Sequence, residues 1–313
     1  MGRLASEKTL LEIMNETSLP ALRLTTAATA GFSKTGGLPN LPAGMAWPFW
    51  RNIPLSFVAQ LDLAELKVAK TLPEFPAEGR LYFFYPQWLS DEPDDLLHPW
   101  GYNPEDAGSA VVIYSLAEPG PPVEPPEEMS RPGLFLLEEM TGVYCERFVS
   151  AVPVVSWPDD ATWKWWPTKA APTEEEREEA SEAYFNWRIS LARELRASQP
   201  VQPYRGLTEC QLGGHPVIEQ YDDMRLERQL TINGIASWSE PDLGNPEIKA
   251  LAPGAEDWRL LLQLESDGEG DYLSGTGRDP AIWPGYGYIY FWIRKQDLAN
   301  RDFSRVWVIE QCT

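Results

Sequence analysis

Two short strings carry the residue types that could do chemistry. Gln60 and Asp62 alternate with leucines in Phe57-Val58-Ala59-Gln60-Leu61-Asp62, and Gln263 and Glu265 do the same in Leu260-Leu261-Leu262-Gln263-Leu264-Glu265. If both strings are strands, the amide and the carboxylate share the face opposite the leucines. Two carboxylates brought into one cleft would serve as a general acid and a general base. The same residues have a structural use: glutamine bonds the backbone of a neighbouring turn, and the carboxylate accepts amides from a glycine-rich loop. Trp47, Trp50, Trp283 and Trp292 offer flat faces for stacking a sugar, and equally offer bulk for a core. Trp47, Gln60, Asp62, Gln263, Glu265, Asp267 and Trp283 are the candidate ligand-binding residues.

Other chemistries find little support. Asp267-Gly268-Glu269-Gly270-Asp271 spaces its carboxylates like the start of a calcium loop, but the sixth position is Tyr272 instead of glycine and the twelfth is Arg278 instead of glutamate. That excludes a helix-loop-helix calcium site and leaves a looser cation site or an acidic turn. With His98 and His215 as the only histidines, and Cys145, Cys210 and Cys312 far apart, neither a multi-histidine zinc site nor zinc-finger spacing is available. Ser274 lacks the preceding glycine of a nucleophile elbow. Neither a Walker lysine loop nor a dinucleotide glycine fingerprint occurs, so no cofactor and no catalytic residue is assigned.

Charge narrows the partners. The chain has 47 acidic and 26 basic residues, a formal charge of −21. Such a field repels nucleic acid and anionic membranes, and it either steers a basic partner or only keeps the protein in solution. Three isolated cysteines suit a reducing compartment, no apolar run is long enough to span a membrane, and the first residues lack the apolar core of a secretion signal. A cytoplasmic location is expected.

The elements that must position these residues lean toward β structure, since 29 prolines shorten helices and 14 tryptophans suit sheet surfaces. An amphipathic helix is predicted over Ser6 to Glu16, and turns over Gly36-Gly37-Leu38-Pro39-Asn40-Leu41-Pro42. Pro54 to Leu63 reads as a strand with Leu55, Phe57, Ala59, Leu61 and Leu63 on one buried face. Leu81 to Tyr85 reads as a strand covered on both sides, and Val111 to Tyr114 as a third. A proline- and glutamate-rich connection follows at 118–128. Then comes a helix from Thr173 to about Ala197, with a capping box at Thr173 and Glu176 and an apolar stripe of Tyr184, Trp187, Leu191 and Leu195.

Three blocks recur in order. Gly36-Gly37-Leu38-Pro39 returns as Gly213-Gly214-His215-Pro216, the Gln60 string returns as the Gln263 string, and Gly79 to Tyr85 returns as Gly287 to Ile293 with glycine, tyrosine and phenylalanine in equivalent places. A fourth pairing, Ser109 to Tyr114 with Ser304 to Ile309, is weaker. The pattern predicts a mainly β or α+β fold of antiparallel sheets in a roll-like arrangement. A turn-strand-turn-strand unit is duplicated within one domain spanning 1–313. The first repeat covers 20–116, the connection and inserted helix 117–205, and the second repeat 206–313. Two such units would face each other about a pseudo-two-fold axis and bring Gln60 and Asp62 close to Gln263 and Glu265.

On these motifs, together with Trp47-Pro48, Leu261 to Asp267, Gln296-Asp297-Leu298 and Asp302-Phe303, the chain resembles the bacterial YwqG-like family, a domain family of unknown function. The resemblance implies a mainly β, roll-like architecture with internal duplication. It also implies a setting among bacterial toxins and their immunity proteins. Where the family often has Trp-Gly-Asp before the last aromatic strand, this chain has Trp283-Pro284-Gly285, without the carboxylate. The functional expectation is a non-enzymatic acidic protein, of immunity or accessory type, for a basic partner. The alternatives are a small-molecule or carbohydrate-binding module with an inter-repeat groove, and a hydrolase using Asp62 and Glu265.

Overall fold

The computed structural model describes residues 12, 14–87, 89–90, 98–135, 141–158, 210–220, 223–239, 241–265 and 287–312, with 173, 175, 176, 178, 179, 182, 183 and 186. Its strands are β1 Leu19–Thr26, β2 Lys34–Thr35, β3 Phe49–Trp50, β4 Ile53–Pro54, β5 Ser56–Asp62, β6 Arg80–Tyr85, β7 Val111–Ser115, β8 Arg147–Ser156, β9 Gln211–Gly213, β10 Trp258–Glu265, β11 Gly287–Arg294 and β12 Trp307–Cys312. The short helices given in full by the described residues are α1 Val68–Thr71, α2 Met224–Thr231, α3 Pro246–Leu251 and α4 Lys295–Asn300. The fold is mainly β, a ten-stranded antiparallel sheet curled into a half-barrel, as the sequence pattern predicts.

The sheet runs β12-β11-β10-β9-β1-β8-β2-β5-β6-β7, and it reads the same from either end if β1 exchanges with β8 and β9 through β12 exchange with β2, β5, β6 and β7. Register supports the exchange residue by residue. Gln60 pairs with Lys34 and Tyr82, while Gln263 pairs with Gln211 and Tyr290. Tyr82 in turn pairs with Ile113, and Tyr290 with Ile309. This places the fourth sequence pairing one residue out of register, because Ile113 and not Tyr114 is the counterpart of Ile309. The counterpart of β1 is β8, which lies in the stretch read from sequence as a connection. No motif marks it, and what the two strands share is pairing alone.

One irregularity shapes the sheet. The β5–β6 ladder shifts between Phe57 and Ala59, and the β10–β11 ladder shifts between Leu260 and Leu262. Val58 and Leu261 are therefore equivalent bulges, and a bulge bends its strand and increases the local twist, which helps curl the sheet. A bulge also exchanges faces. Leu55 and Phe57 pack outward with Tyr82 and Phe84, whereas Ala59, Leu61 and Leu63 pack inward, so the single apolar face expected from the spacing of two is split at Val58.

Curling lets the concave faces of both halves share one core. Val58, Leu61, Leu81 and Phe83 join Leu261, Leu264, Ile289 and Phe291, and the Phe83 and Phe291 rings meet at 5.1 Å. Each such fully buried side chain contributes roughly 1.5–3 kcal/mol of transfer free energy, so this shared core is a main source of the fold's stability. The convex faces are covered separately, by the β3–β4 hairpin and Trp47 on one half and by the 98–102 segment and Met224 on the other.

Of the two predicted helices, Glu12 and Met14–Thr17 are helical and the rest of the N-terminal one lies outside the described residues. At the other, the Thr173 N–H donates to Glu176 Oε2 (3.0 Å) and the Glu176 N–H to Thr173 Oγ1 (3.3 Å), the reciprocal bonds of a capping box. Its stripe residues Tyr184, Trp187, Leu191 and Leu195 lie outside the described residues.

Candidate functional site

Each glutamine of the two strings braces a turn of its own half. Gly36 and Gly37 have φ of 61° and 69°, and Gly213 and Gly214 have 66° and 74°, a left-handed conformation that glycine adopts without steric cost. The turn after each pair folds back over the outer face of the sheet. There the Asn40 N–H donates to Gln60 Oε1 at 2.8 Å, and the Val217 N–H to Gln263 Oε1 at the same distance. Tyr82 and Tyr290 then donate their hydroxyls to the carbonyls of Asn40 (3.0 Å) and Val217 (2.7 Å). One further bond repeats: the Asp62 N–H donates to Ser33 Oγ, and the Glu265 N–H to Cys210 Sγ.

Asp62 uses its carboxylate locally. Oδ1 accepts from the Ala64 and Glu65 N–H groups (3.0 and 2.9 Å), and Oδ2 lies 3.1 Å from Arg80 Nε. Gln60 and Gln263, both buried, stand under separate turns on opposite outer faces, with β2, β8, β1 and β9 between their strands. The structure thus does not bring the two strings into one cleft. Trp47 donates its indole N–H to the Leu55 carbonyl (2.8 Å) and packs edge-on against Phe84. Trp50 donates to the Ala107 carbonyl, and Trp292 is buried in the second outer cluster. Asp267, Trp283 and Ser274 lie outside the described residues.

A cavity opens elsewhere, at the seam of the halves. It has a volume of about 260 Å³ and is lined by Trp100 and Tyr102 from the β6–β7 connection and by Gln220, Trp238, Glu310 and Cys312 from the second half, with Ser237 and Ser239 beside Trp238. The 98–102 segment is fixed against β12. The Glu310 N–H donates to the Trp100 carbonyl (3.1 Å), the Trp307 indole donates to the Gly101 carbonyl (2.9 Å), and Arg228 Nη1 donates to the same carbonyl. Gly101 is required by this approach: its φ is 91°, and a Cβ there would stand 1.9 Å from the Val308 carbonyl oxygen. Opposite, the Ser237 N–H donates to the Tyr102 carbonyl, which ties the Trp238 loop to the same segment.

Glu310 also belongs to a buried polar group. Nε2 of His98 is 2.7 Å from Glu310 Oε2, within hydrogen-bond distance. Tyr85 donates its hydroxyl to the Pro99 carbonyl; burial first, and the Glu310 charge second, push this phenol well above its ordinary value. Burial, followed by Glu310 and Glu219, likewise raises the Cys312 thiol, which disfavours its thiolate. Arg228, fully buried, is lowered to about 10 by burial and still carries its charge at neutral pH, beside the rings of Tyr102 and Trp307.

Sequence reasoning missed this site. His98 and Glu310 are 212 residues apart, and nothing in the composition of either stretch couples them. The only signal was the cluster His98-Pro99-Trp100-Gly101-Tyr102, aromatic and glycine-bearing but unrepeated.

Fold and site together define an internally duplicated antiparallel β half-barrel, with turns braced by glutamine in both halves and a pocket where the halves meet. The chain belongs to the family described as a domain of unknown function (DUF1963), whose match runs over residues 33–312 and takes in every strand from β2 to β12. No curated protein matches the chain. Among the described residues, no helix is long and apolar enough to cross a membrane.

Proposed function

We propose that this protein is a non-enzymatic binding protein for a basic partner, with the immunity or accessory role implied by its resemblance to the YwqG-like family. The observation that carries the reading is the seam pocket, where Trp100, Tyr102 and Trp238 surround a wall containing Glu310 on a chain of net charge −21. Aromatic faces and carboxylates both favour cations, and a strongly negative surface raises the encounter rate with a basic protein. The paired-carboxylate hydrolase gains no support, since Asp62 is engaged by two backbone amides and Arg80.

The test is affinity purification of the full chain from its native host at low and at high ionic strength. A basic protein retained at low salt and released at high salt is expected. Recovery of no such protein would count against the reading.

A second reading, a small-molecule or carbohydrate-binding module, draws on the same cavity, because residues from both halves converge on it with tryptophans and polar groups. A thermal-shift series over sugars, nucleotides and cations separates the two: stabilisation by a neutral sugar favours the second reading.

A further inference from the structure

The walls of the seam pocket select one chemistry. The Tyr102 and Trp238 rings stand 5.2 Å apart and are tilted by 41°. At that spacing the two rings pack on each other, and Trp238, which is 60% exposed, keeps ring surface open beside the cavity. An open aromatic face attracts a compact positive charge through its quadrupole, Trp most strongly.

Glu310 adds an acidic residue to the lining. It is 3% exposed, so its field is poorly screened by water. His98 Nε2, itself buried, lies 2.7 Å from Glu310 Oε2 and holds the side chain in place. Glu219 adds to the negative field, as its influence on Cys312 records. Arg228 lies 5.7 Å from the Tyr102 ring and is answered by Glu227 at 3.9 Å and by the charge of Asp106.

We propose that the seam pocket binds an organic ammonium group, held by the rings of Trp100, Tyr102 and Trp238 and by the Glu310 carboxylate. This rests on the basic-partner reading and specifies what that partner presents. The ammonium is carried either by a lysine side chain of a protein or by a free small amine; the chemistry of recognition is the same.

The experiment is a titration of the full chain, followed by tryptophan fluorescence, with choline, with a lysine-rich peptide, and with two neutral controls, 3,3-dimethyl-1-butanol and glucose. Both cationic probes are expected to give a saturable change, with the neutral isostere of choline at least about tenfold weaker. Tighter, salt-sensitive binding of the peptide assigns the pocket to a protein side chain, and tighter binding of choline assigns it to a free amine. Trp238→Ala removes a side chain that is 60% exposed and leaves the core intact, and it is expected to weaken both probes about tenfold. Glu310→Gln, which keeps the shape, is expected to do the same. Equal binding of either neutral control, no saturation with either cation, or unchanged binding in both variants would overturn the assignment. If a basic partner co-purifies undiminished with Trp238→Ala, this inference fails and the function proposed above stands. If neither an ammonium probe nor a basic partner binds, both fail.

Discussion

Thr25 Oγ1 and Ser150 Oγ lie 2.9 Å apart, on residues that are ladder partners in β1 and β8. They are also each other's counterparts. Arg23 pairs with Gln211 and Phe148 pairs with Lys34, and Gln211 and Lys34 occupy equivalent places opposite Gln263 and Gln60. The separation that relates Arg23 to Phe148, 125 residues, also relates Thr25 to Ser150. A residue paired with its own counterpart sits on the symmetry axis, so the pseudo-two-fold relating the halves passes through this hydroxyl pair. That placement makes equivalent substitutions in the two halves direct controls for each other.

Gln60→Leu is expected to destabilise the fold by about 3 kcal/mol, since it strips partners from the Asn40 N–H and the Phe32 carbonyl beneath a covered turn. Gln263→Leu is expected to cost about 2 kcal/mol through the Val217 N–H. Urea unfolding measures both. Changes below about 0.5 kcal/mol at both positions would show that the glutamines do not brace the turns.

Asp62→Asn keeps an oxygen to accept from Ala64 and Glu65 and loses only the ion pair to Arg80, whose side chain is mostly buried. A loss of about 1 kcal/mol is expected, against about 2 kcal/mol for Asp62→Ala, which also uncaps the turn. Ammonium binding at the seam should be unchanged in both. A binding defect in Asp62→Asn would give this carboxylate a functional role that its contacts do not suggest.

Gly101→Ala sets a methyl 1.9 Å from the Val308 carbonyl oxygen at a φ of 91° and is expected to cost roughly 3 kcal/mol or more, because the backbone that receives Trp307 and Arg228 must shift. Gly44 has a φ of 81° with nothing within 4 Å of an added Cβ, so Gly44→Ala carries conformational strain alone, roughly 1–2 kcal/mol. Thermal unfolding of the two variants separates collision from strain. Equal losses would mean that the 98–102 segment is free to move away from β12.

His215 gives the fold an acid sensitivity that its counterpart Leu38 cannot. Burial first, and the Arg225 charge second, lower its imidazole from 6.5 to about 3. The unfolded chain takes up this proton as the pH falls through 6.5, while the folded chain refuses it until about pH 3. The stabilising contribution is therefore complete above pH 6.5 and is lost on acidification, at up to about 1.4 kcal/mol per pH unit within that window. His215→Leu should be the less stable protein at pH 7.5, having lost the bond to the Thr17 carbonyl, and the gap should narrow by about 2 kcal/mol at pH 5. A gap that stays constant between the two pH values would refute the buried neutral imidazole.

The repeat was legible in the sequence because its signals are local. A pair of glycines fixes a left-handed turn wherever it stands, alternation fixes which residues share a face of a strand, and Gly79 to Tyr85 and Gly287 to Ile293 match by residue type. From those signals alone follow the antiparallel β class, the duplication and the structural role open to Gln60 and Gln263. Three things only the tertiary structure decided. The bulges at Val58 and Leu261 exchange the faces of Leu55 and Phe57, and an extra residue in one strand is recognisable only against its partner's register. The equivalence of β1 and β8 is a matter of which strand each pairs with, and backbone pairing leaves no residue signature. The seam pocket joins Trp100 and Tyr102 to Glu310, and His98 meets Glu310 across 212 positions beside it, because curling of the sheet carries the β6–β7 connection onto the far edge strand, a contact set by the path of the whole chain and not by any stretch of it.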